Sequence, residues 1–210
     1  MKSWQIYRSF LRTGEWHVHT AYTDGENSVF ECCEIAEKKR IPLIAFTEHV
    51  RRELDYDFDS FLCDIDNARR KFNLIILSGC EAKILPTGML DVDDDVLAQV
   101  DYPIFGFHAF PLDPNLYCEC LVNVLQTYPV NAWAHPGAFL VKNNIHLPEK
   151  DLEKIFEVMS ENAVALELNS KYKVPLPEWI DIAKLYNIPF IRGSDIHRTM
   201  DITEYQDYNL

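Results

Sequence analysis

The chain has 210 residues, of which 48% are hydrophobic, and its 33 acidic and 20 basic residues give a formal net charge of −13. This length and hydrophobic content are typical of one globular domain with a sizeable core. The acidic balance disfavours a surface for membranes or long nucleic acid, because either would need clustered lysine and arginine. No apolar run approaches the length of a membrane span, and residues 1–15 lack the apolar core of a signal peptide, so a cytoplasmic location is expected.

The predicted elements follow the pattern of parallel βα units, with short apolar runs alternating with amphipathic stretches. Strands are predicted at 15–19, 41–46, 74–77, 102–107, 130–134, 164–168 and 188–191. Helices are predicted at 29–39, 57–72, 91–100, 114–128, 149–162 and 177–186, the first with Ser28 and Glu31 as a capping box. The polar residues 201–210 are expected to be loosely held. The pattern predicts a single α/β domain over 1–210, a seven-stranded (β/α)7 TIM-like barrel.

The six cysteines do not form the pattern of a disulfide framework. Two pairs lie close together in helical patterns and diverge around their helices, and the other two resemble small apolar residues. We therefore expect six reduced thiols, as is usual in cytosolic proteins. In chain order they are Cys32, Cys33, Cys63, Cys80, Cys118 and Cys120.

Six of the seven histidines lie at or directly after a predicted strand end, which is where barrel enzymes of this kind build their active sites. They are His17, His19, His49, His108, His135 and His197, and the acids Glu81 and Asp195 lie at strand ends too. Alternate residues of a strand point the same way, so His17 and His19 can bind one metal ion together while Val18 faces the core. Asp24 offers a carboxylate from the turn above that strand.

Imidazole and carboxylate ligands without thiolates suit Zn, Mn or Fe. Too many of them converge here for one tetrahedral site, so two to three divalent ions are expected. Two other features are expected to be ordinary surface: His146 matches no motif and is predicted in an exposed loop. The acidic run 93–95 is predicted to be a solvated helix start.

The order of the motifs resembles that of the PHP family, named for its members among DNA polymerases and histidinol phosphatases. The resemblance covers residues 15–198 and rests on His17-Val18-His19-Thr20, Thr47-Glu48-His49, Gly79-Cys80-Glu81, His108, His135-Pro136 and Ser194-Asp195-Ile196-His197. It implies a distorted seven-stranded barrel with a trinuclear metal site at the C-terminal ends of the strands.

The resemblance also implies three ligand sets. One metal would take His17, His19, Glu81 and Asp195; a second would share Glu81 and add His108 and His135; a third would take Asp24, His49 and His197. Glu48 stands where the family commonly has Asp, and it is expected to support the site without binding a metal.

Clustered divalent metals lower the pKa of a bridging water and neutralise a phosphoryl group. The predicted function is therefore a metal-dependent phosphoesterase that hydrolyses a small phosphomonoester by a metal-bridging hydroxide, with Glu81, Asp195 and His197 as catalytic residues. Histidinol phosphate is one candidate substrate. Predicted substrate-binding residues are Arg192, Arg198, Arg51 and Asn169, with Arg52, Lys83 and Lys171 as further candidates.

Three alternatives stay open. The chain could be a nuclease or nucleotide phosphatase acting on mononucleotides or short oligonucleotides. It could be a catalytically silent, metal-stabilised interaction module, although all nine predicted ligands are intact. A metal-dependent amide hydrolase would use the same hydroxide. The sequence gives no indication of the oligomeric state.

Overall fold

The computed structural model describes residues 1–203, so most of the segment predicted to be loosely held, residues 204–210, lies outside the described part. Seven parallel strands form one sheet in the order in which they occur in the chain. They are β1 Glu15–Val18, β2 Leu43–Val50, β3 Ile75–Lys83, β4 Tyr102–Gly106, β5 Ala132–Trp133, β6 Ala165–Asn169 and β7 Phe190–Gly193. Eight α-helices accompany them in this part: α1 Ser3–Ile6, α2 Val29–Lys38, α3 Phe58–Lys71, α4 Asp94–Gln99, α5 Pro114–Thr127, α6 Ala138–Lys142, α7 Glu149–Glu161 and α8 Pro177–Leu185.

The sheet closes into a barrel along a seam between β1 and β7. Two backbone hydrogen bonds cross the seam near its upper end, from the His19 amide to the Ile196 carbonyl at 2.8 Å and from the Ile196 amide to the His17 carbonyl at 3.0 Å. Below them the buried carboxylate of Glu15 accepts hydrogen bonds from the amide and the hydroxyl of Ser194, each at 2.8 Å. The Glu15 side chain thus replaces part of the backbone hydrogen bonding that β1 and β7 lack. The prediction of a distorted (β/α)7 barrel is confirmed.

The strands β2 and β3 are longer than predicted, because polar residues continue the strand pairing beyond the apolar runs. His49 lies opposite Glu81 in the parallel register of these two strands. The predicted boundaries stopped where the hydrophobic pattern stopped, at residues 46 and 77. Both strands therefore carry their candidate ligands within the sheet and not in the loops that follow.

The core has two layers. The larger lies between the sheet and the helices, and it includes Val18, as predicted. The smaller contains interior residues from every strand and no buried helix residue, among them Trp16, Leu43, Tyr102 and Ile191. This second layer fills the lower, N-terminal end of the barrel, where Trp4 and Phe10 from the N-terminal helical segments pack against it.

Some helices were not predicted or differ in length from the prediction, whereas other local features agree with it. The helical residues 3–10 and helix α6 were not predicted, and α4 is shorter than predicted, while the capping box of Ser28 and Glu31 is confirmed. All six cysteines lie in the described part and are free thiols, although Cys63 is exposed rather than buried. Within residues 1–203, none of the helices combines the length and the apolar character needed to cross a bilayer.

Candidate metal centre

An irregularity in β1 directs His17 into the barrel, and His19 follows directly after the strand. The register of β1 against β2 shifts between Glu15 and Val18, so Trp16 and His17 both reach the barrel interior. His19 follows on the same side after Val18. The Nε2 atoms of His17 and His19 are 3.0 Å apart, and both rings are buried.

Asp195 joins this pair from the other side of the seam. Its Oδ1 lies 3.3 Å from Nε2 of His19 and 3.8 Å from Nε2 of His17. The backbone of Asp195 has a φ of 50°, a left-handed conformation that asparagine and aspartate tolerate better than most residues and that turns the chain at the strand end. Burial would raise its pKa, but the hydrogen bond with His19 and the charge of His17 lower the pKa of Asp195 well below its usual range.

Glu81 is the centre of the cluster, since five histidines lie within 3.5 Å of its two oxygens. Its Oε1 contacts His135 at 2.6 Å and His108 at 3.4 Å. Its Oε2 lies between 3.2 and 3.5 Å from nitrogens of His17, His19 and His49. Burial opposes ionisation, but the histidines outweigh it and hold the pKa of Glu81 well below its usual range. A carboxylate so placed can bridge two cations.

Asp24 lies close to three histidines near the surface and forms a third set of candidate ligands with them. Its Oδ2 is 3.1 Å from Nε2 of His197 and 3.4 Å from Nε2 of His49, and its Oδ1 is 3.8 Å from Nδ1 of His19. Asp24 is half exposed, whereas His19 is fully buried. This third set is therefore the one most accessible to solvent.

The structure brings all nine predicted ligands together. The groups that their ligand atoms form differ in part from the three predicted ligand sets. Three groups have ligand atoms within 4.8 Å of one another: His17, His19 and Asp195; His49, Glu81 and His108; and His19, Asp24, His49 and His197. His19 and His49 thus each belong to two groups. Which ion each residue binds stays a prediction.

The residues present fit divalent cations. Among the described residues, buried Nδ1 of His19 has no hydrogen-bond partner, and the lone pairs and negative charges of the cluster converge on shared points. Glycines keep this space open: a Cβ on Gly106 would lie 2.5 Å from the ring of His135 and 3.1 Å from Glu81. Imidazole and carboxylate donors are those of Zn, Mn or Fe sites.

Glu167 of β6 is a buried carboxylate at the site that was not predicted. Its oxygens lie 3.0 and 3.1 Å from Nδ1 of His17, and Oε2 accepts a 2.8 Å bond from the backbone amide of His135. A carboxylate on one ring nitrogen leaves the other free for a metal, an arrangement typical of metal-binding histidines. Its signal in the sequence was a charged residue inside the otherwise apolar run 164–168, where burial is costly without a partner.

Glu48 supports the loop that carries Asp24. Its Oε1 accepts bonds from the amide and hydroxyl of Thr20 at 2.9 and 2.7 Å, and its Oε2 accepts one from Thr23 at 2.5 Å. Burial raises the pKa of Glu48 to about 7. These contacts agree with the expectation that Glu48 acts beside the metals, by fixing the loop at residues 20–25.

Two predicted phosphate-binding arginines are used elsewhere. Arg192 is buried on the outer side of the sheet, where its guanidinium bonds the Thr203 carbonyl at 2.6 Å and lies 3.4 Å from Glu15. The expectation for Arg192 is therefore wrong, because alternation along β7 turns it away from the interior and towards the seam. Arg198 forms hydrogen bonds of 3.0 and 3.2 Å with Asp201, and the structure does not bring it into the cluster.

Asn169 also has a different role from the predicted contact with substrate. Its Nδ2 donates to Glu167 at 2.8 Å, and its Oδ1 accepts from the amide of Tyr172 at 2.9 Å. It therefore ties Glu167 to the loop that follows β6. Lys171 in that loop reaches the cluster, with Nζ 2.9 Å from Oδ2 of Asp195.

Two cavities open beside the cluster and share His108. The basic cavity, about 280 Å³, is lined by Arg51 and Lys83 together with the candidate ligands Asp24, His49, Glu81 and His108. The aromatic cavity, about 370 Å³, is lined by Phe107, Phe139, Tyr172, Val174 and Lys142, with His108 and His135 at its inner end. Arg51, a predicted substrate-binding residue, lines the basic cavity, and its contact with substrate stays a prediction. The guanidinium of Arg52 instead lies 3.8 Å from the sulfur of Met89, and its backbone amide donates to Asp91 at 3.5 Å.

The sequence matches a protein family model and resembles several known proteins. Residues 15–104 match the family model described as the PHP domain. The DNA polymerase/3'-5' exonuclease PolX of Bacillus subtilis is 30% identical over 171 residues, which are 75% of this chain and 29% of PolX. This chain thus spans less than a third of PolX. A protein named "Probable phosphatase" from Acetivibrio thermocellus is 27% identical over 205 residues, covering 90% of this chain and 81% of that protein.

Solved structures share the fold. The hisK protein of Listeria monocytogenes superposes with a TM-score of 0.73 at 15% identity, covering 90% of this chain and 96% of that one. A histidinol phosphate phosphatase of Lactococcus lactis, solved with Zn, L-histidinol and phosphate, gives 0.68 at 16% identity and covers 90% and 87%. At these identities the likeness shows the fold alone. The family model and the sequence relatives make this chain a member of the PHP domain family.

Proposed function

We propose that this chain is a metal-dependent phosphoesterase and that it hydrolyses a small phosphomonoester. One observation carries the proposal: nine candidate imidazole and carboxylate ligands, Glu81 among them, form one cluster that opens on a cavity also lined by Arg51 and Lys83. A small dianion needs this combination of cations and basic side chains, and the cavity has the size for it.

The nine predicted ligands would hold two to three divalent ions. When bound, such ions supply a water of lowered pKa and positive charge against the phosphoryl oxygens. Glu167 orients the His17 ring and the His135 backbone, and Lys171 bonds Oδ2 of Asp195 so that Oδ1 faces His19. These residues keep the ligands in fixed directions before substrate arrives, which is how a site avoids reorganisation during the reaction.

Arg51 and Lys83 are the candidates for binding phosphate oxygens. Arg51 is exposed at the rim of the basic cavity, so a dianion can reach its planar fork without burying an unpaired charge. Lys83 lies 3.7 Å from Asp91, a separation long enough for the lysine to serve both groups.

The relatives support two candidate activities. Proteins named as phosphatases resemble nearly the whole chain, which favours a phosphomonoesterase. PolX is named as a DNA polymerase and 3'-5' exonuclease, which supports the second candidate, a nuclease or nucleotide phosphatase acting on mononucleotides or short oligonucleotides. The net charge of −13 argues against a track for long nucleic acid. The six free thiols support the proposal of a reducing, cytoplasmic location.

The test combines metal analysis with a substrate comparison. Protein purified without chelators should contain about two to three transition-metal ions per chain by elemental analysis. At matched metal and salt, it should release phosphate from phosphomonoesters and leave single-stranded DNA and RNA largely uncut. Efficient cutting of the polymers with inert monoesters would replace the proposal by the nuclease. Inert monoesters and polymers with the metal fully loaded would reject a phosphoesterase altogether.

A further inference from the structure

The aromatic cavity lies directly beside the candidate ligands but contributes little that a phosphate could use. His108 and His135 form its inner end, and His108 is shared with the basic cavity. A substrate whose phosphate sits among the ligands can extend its remaining part into either of these two spaces. The basic cavity is lined largely by candidate ligands and cations, so of the two the aromatic cavity offers more apolar surface to the alcohol part.

Aromatic side chains line much of this cavity, some buried and one partly exposed. Phe139 of α6 is buried and packs in a cluster with Phe110 and Tyr117, with ring centroids 6.3 and 6.2 Å away. Phe107 stacks on Tyr117 at 3.8 Å. Tyr172 also lines the cavity; it is 47% exposed, and its ring meets the edge of His135 at 5.6 Å. Aromatic side chains that line a cavity favour stacked or edge contacts with a flat ring.

The charge of the cavity selects against an amine. Among its lining residues, all within the described part of the chain, none carries a carboxylate, and the one permanently charged side chain is the cation of Lys142. A protonated amine in this space would lose water without gaining a partner of opposite sign, which is costly. A neutral ring gains from burial against Phe139 and Val174. The volume of about 370 Å³ is within the range of small-molecule pockets.

We propose that the aromatic cavity receives the alcohol part of the substrate and that this part is an uncharged planar ring, not a cationic amine. The inference rests on the phosphoesterase function proposed above. The ring can be that of a simple aromatic alcohol or the base of a mononucleotide, since both present a flat, neutral face. Histidinol phosphate, which carries an amine, is then a poor substrate.

The test uses substrates with similar leaving groups, so that differences in kcat/KM report on binding of the alcohol part and not on the reactivity of the ester. Phenethyl phosphate, adenosine monophosphate, L-histidinol phosphate and glycerol phosphate are all esters of alcohols, and each is assayed with the metal-loaded protein. We expect kcat/KM to be at least tenfold higher for one or both ring substrates than for histidinol phosphate. Preference for phenethyl phosphate or for the nucleotide identifies the source of the ring. Equal or better turnover of histidinol phosphate would overturn the inference.

A binding measurement separates the inference from the function. Phenethylphosphonate and aminoethylphosphonate cannot be hydrolysed and differ at the far end, and calorimetry should give the former at least tenfold tighter binding. If this holds while no phosphomonoester is turned over, the cavity assignment stands and the phosphoesterase proposal fails. If esters are turned over but the two phosphonates bind equally, the cavity assignment fails and the function stands.

Two substitutions locate the effect in the aromatic cavity. Lys142→Glu should reduce the discrimination against histidinol phosphate at least fivefold, whereas Lys150→Glu, the same charge change on α7, should not. Tyr172→Ala should lower the ratio of kcat/KM for phenethyl over glycerol phosphate about tenfold, mainly through KM, and Tyr172→Phe should restore it. Leu185→Ala, an exposed apolar residue of α8, is the matched control. Unchanged ratios in Lys142→Glu and Tyr172→Ala would overturn the inference.

Discussion

The two ends of the barrel interior are made by the same seven strands but have opposite chemistry. At the lower end Trp16, Leu43 and Tyr102 form a dry apolar layer. At the upper end Glu81 and Asp195 lie among histidines, equally buried. Apolar burial stabilises the fold by itself, whereas buried charges stabilise it only when they are paired or neutralised. The lower end therefore stabilises the barrel by itself, whereas we expect the stability of the upper end to depend on bound cations.

Removing the cations should have the largest effect at the upper end. A chelator is expected to abolish hydrolysis, and it should also lower the midpoint of thermal unfolding. A ligand present at a thousandfold its dissociation constant contributes about 4 kcal/mol. For a chain of this size that corresponds to a midpoint shift of about 8–16 °C. Scanning calorimetry of the chelated and metal-restored protein measures it; identical midpoints would mean that the upper end is stable without metal.

Truncation at the lower end should cost stability and leave the chemistry intact. Leu43→Ala is expected to reduce the free energy of unfolding by about 2–5 kcal/mol, because it opens a cavity in the apolar layer. Denaturant unfolding gives this value, and kcat of the folded, metal-loaded variant should stay unchanged. Leu185→Ala on the surface should change stability by no more than about 0.5 kcal/mol. A large loss of kcat in Leu43→Ala would show that the two ends are not separable.

Removing a charge at the upper end should instead lower the activity, whereas truncation at the lower end lowers the stability. Glu81→Gln keeps the shape of the side chain but removes the charge that five histidines face. We expect at least a hundredfold loss of activity, about 2.7 kcal/mol of barrier, together with reduced metal content. His146→Ala, in an exposed loop, is the control and should be silent. Similar activities of the two variants would remove Glu81 from the centre of the site.

The smallest effect is expected from a substitution at the rim of the basic cavity. Arg51→Ala should raise KM for a phosphomonoester about tenfold, about 1.4 kcal/mol, because one cation at the basic cavity is lost. Arg198→Ala is matched in residue type and exposure but is paired with Asp201, and it should leave KM unchanged. Steady-state kinetics on the two variants distinguishes the roles. A larger effect from Arg198 would restore the original expectation for that residue.

Much of the barrel and of the cluster was predictable because both follow from short-range patterns. Alternating apolar runs and helical stretches indicated seven strands, and polar residues directly after those runs indicated the upper rim. The histidines and acids could be named because such residues are rare at buried strand ends without a function. Glu48 could be placed beside His49 by sequence adjacency alone.

The parts that escaped prediction depend on which way a side chain turns or on contacts between distant strands. Arg192 flanks the Asp195 motif, yet alternation in β7 sends it to Glu15, at the opposite end of the sequence. Glu167 pairs with His17 across the barrel, a contact that no local pattern encodes. Helix α6 is only five residues long, too short for its periodicity to be distinguished from a loop.

The seam between β1 and β7 has a consequence for the synthesis of the chain. His17 and His19 are synthesised with the first strand of the barrel, while Asp195 and His197 follow its last strand. Until β7 has emerged, Glu15 has no Ser194 to bind and the two early histidines lack their partners across the seam. A nascent chain that lacks β7 therefore cannot hold the complete ligand set. Assembly of the whole site is delayed until the last strand of the barrel is made.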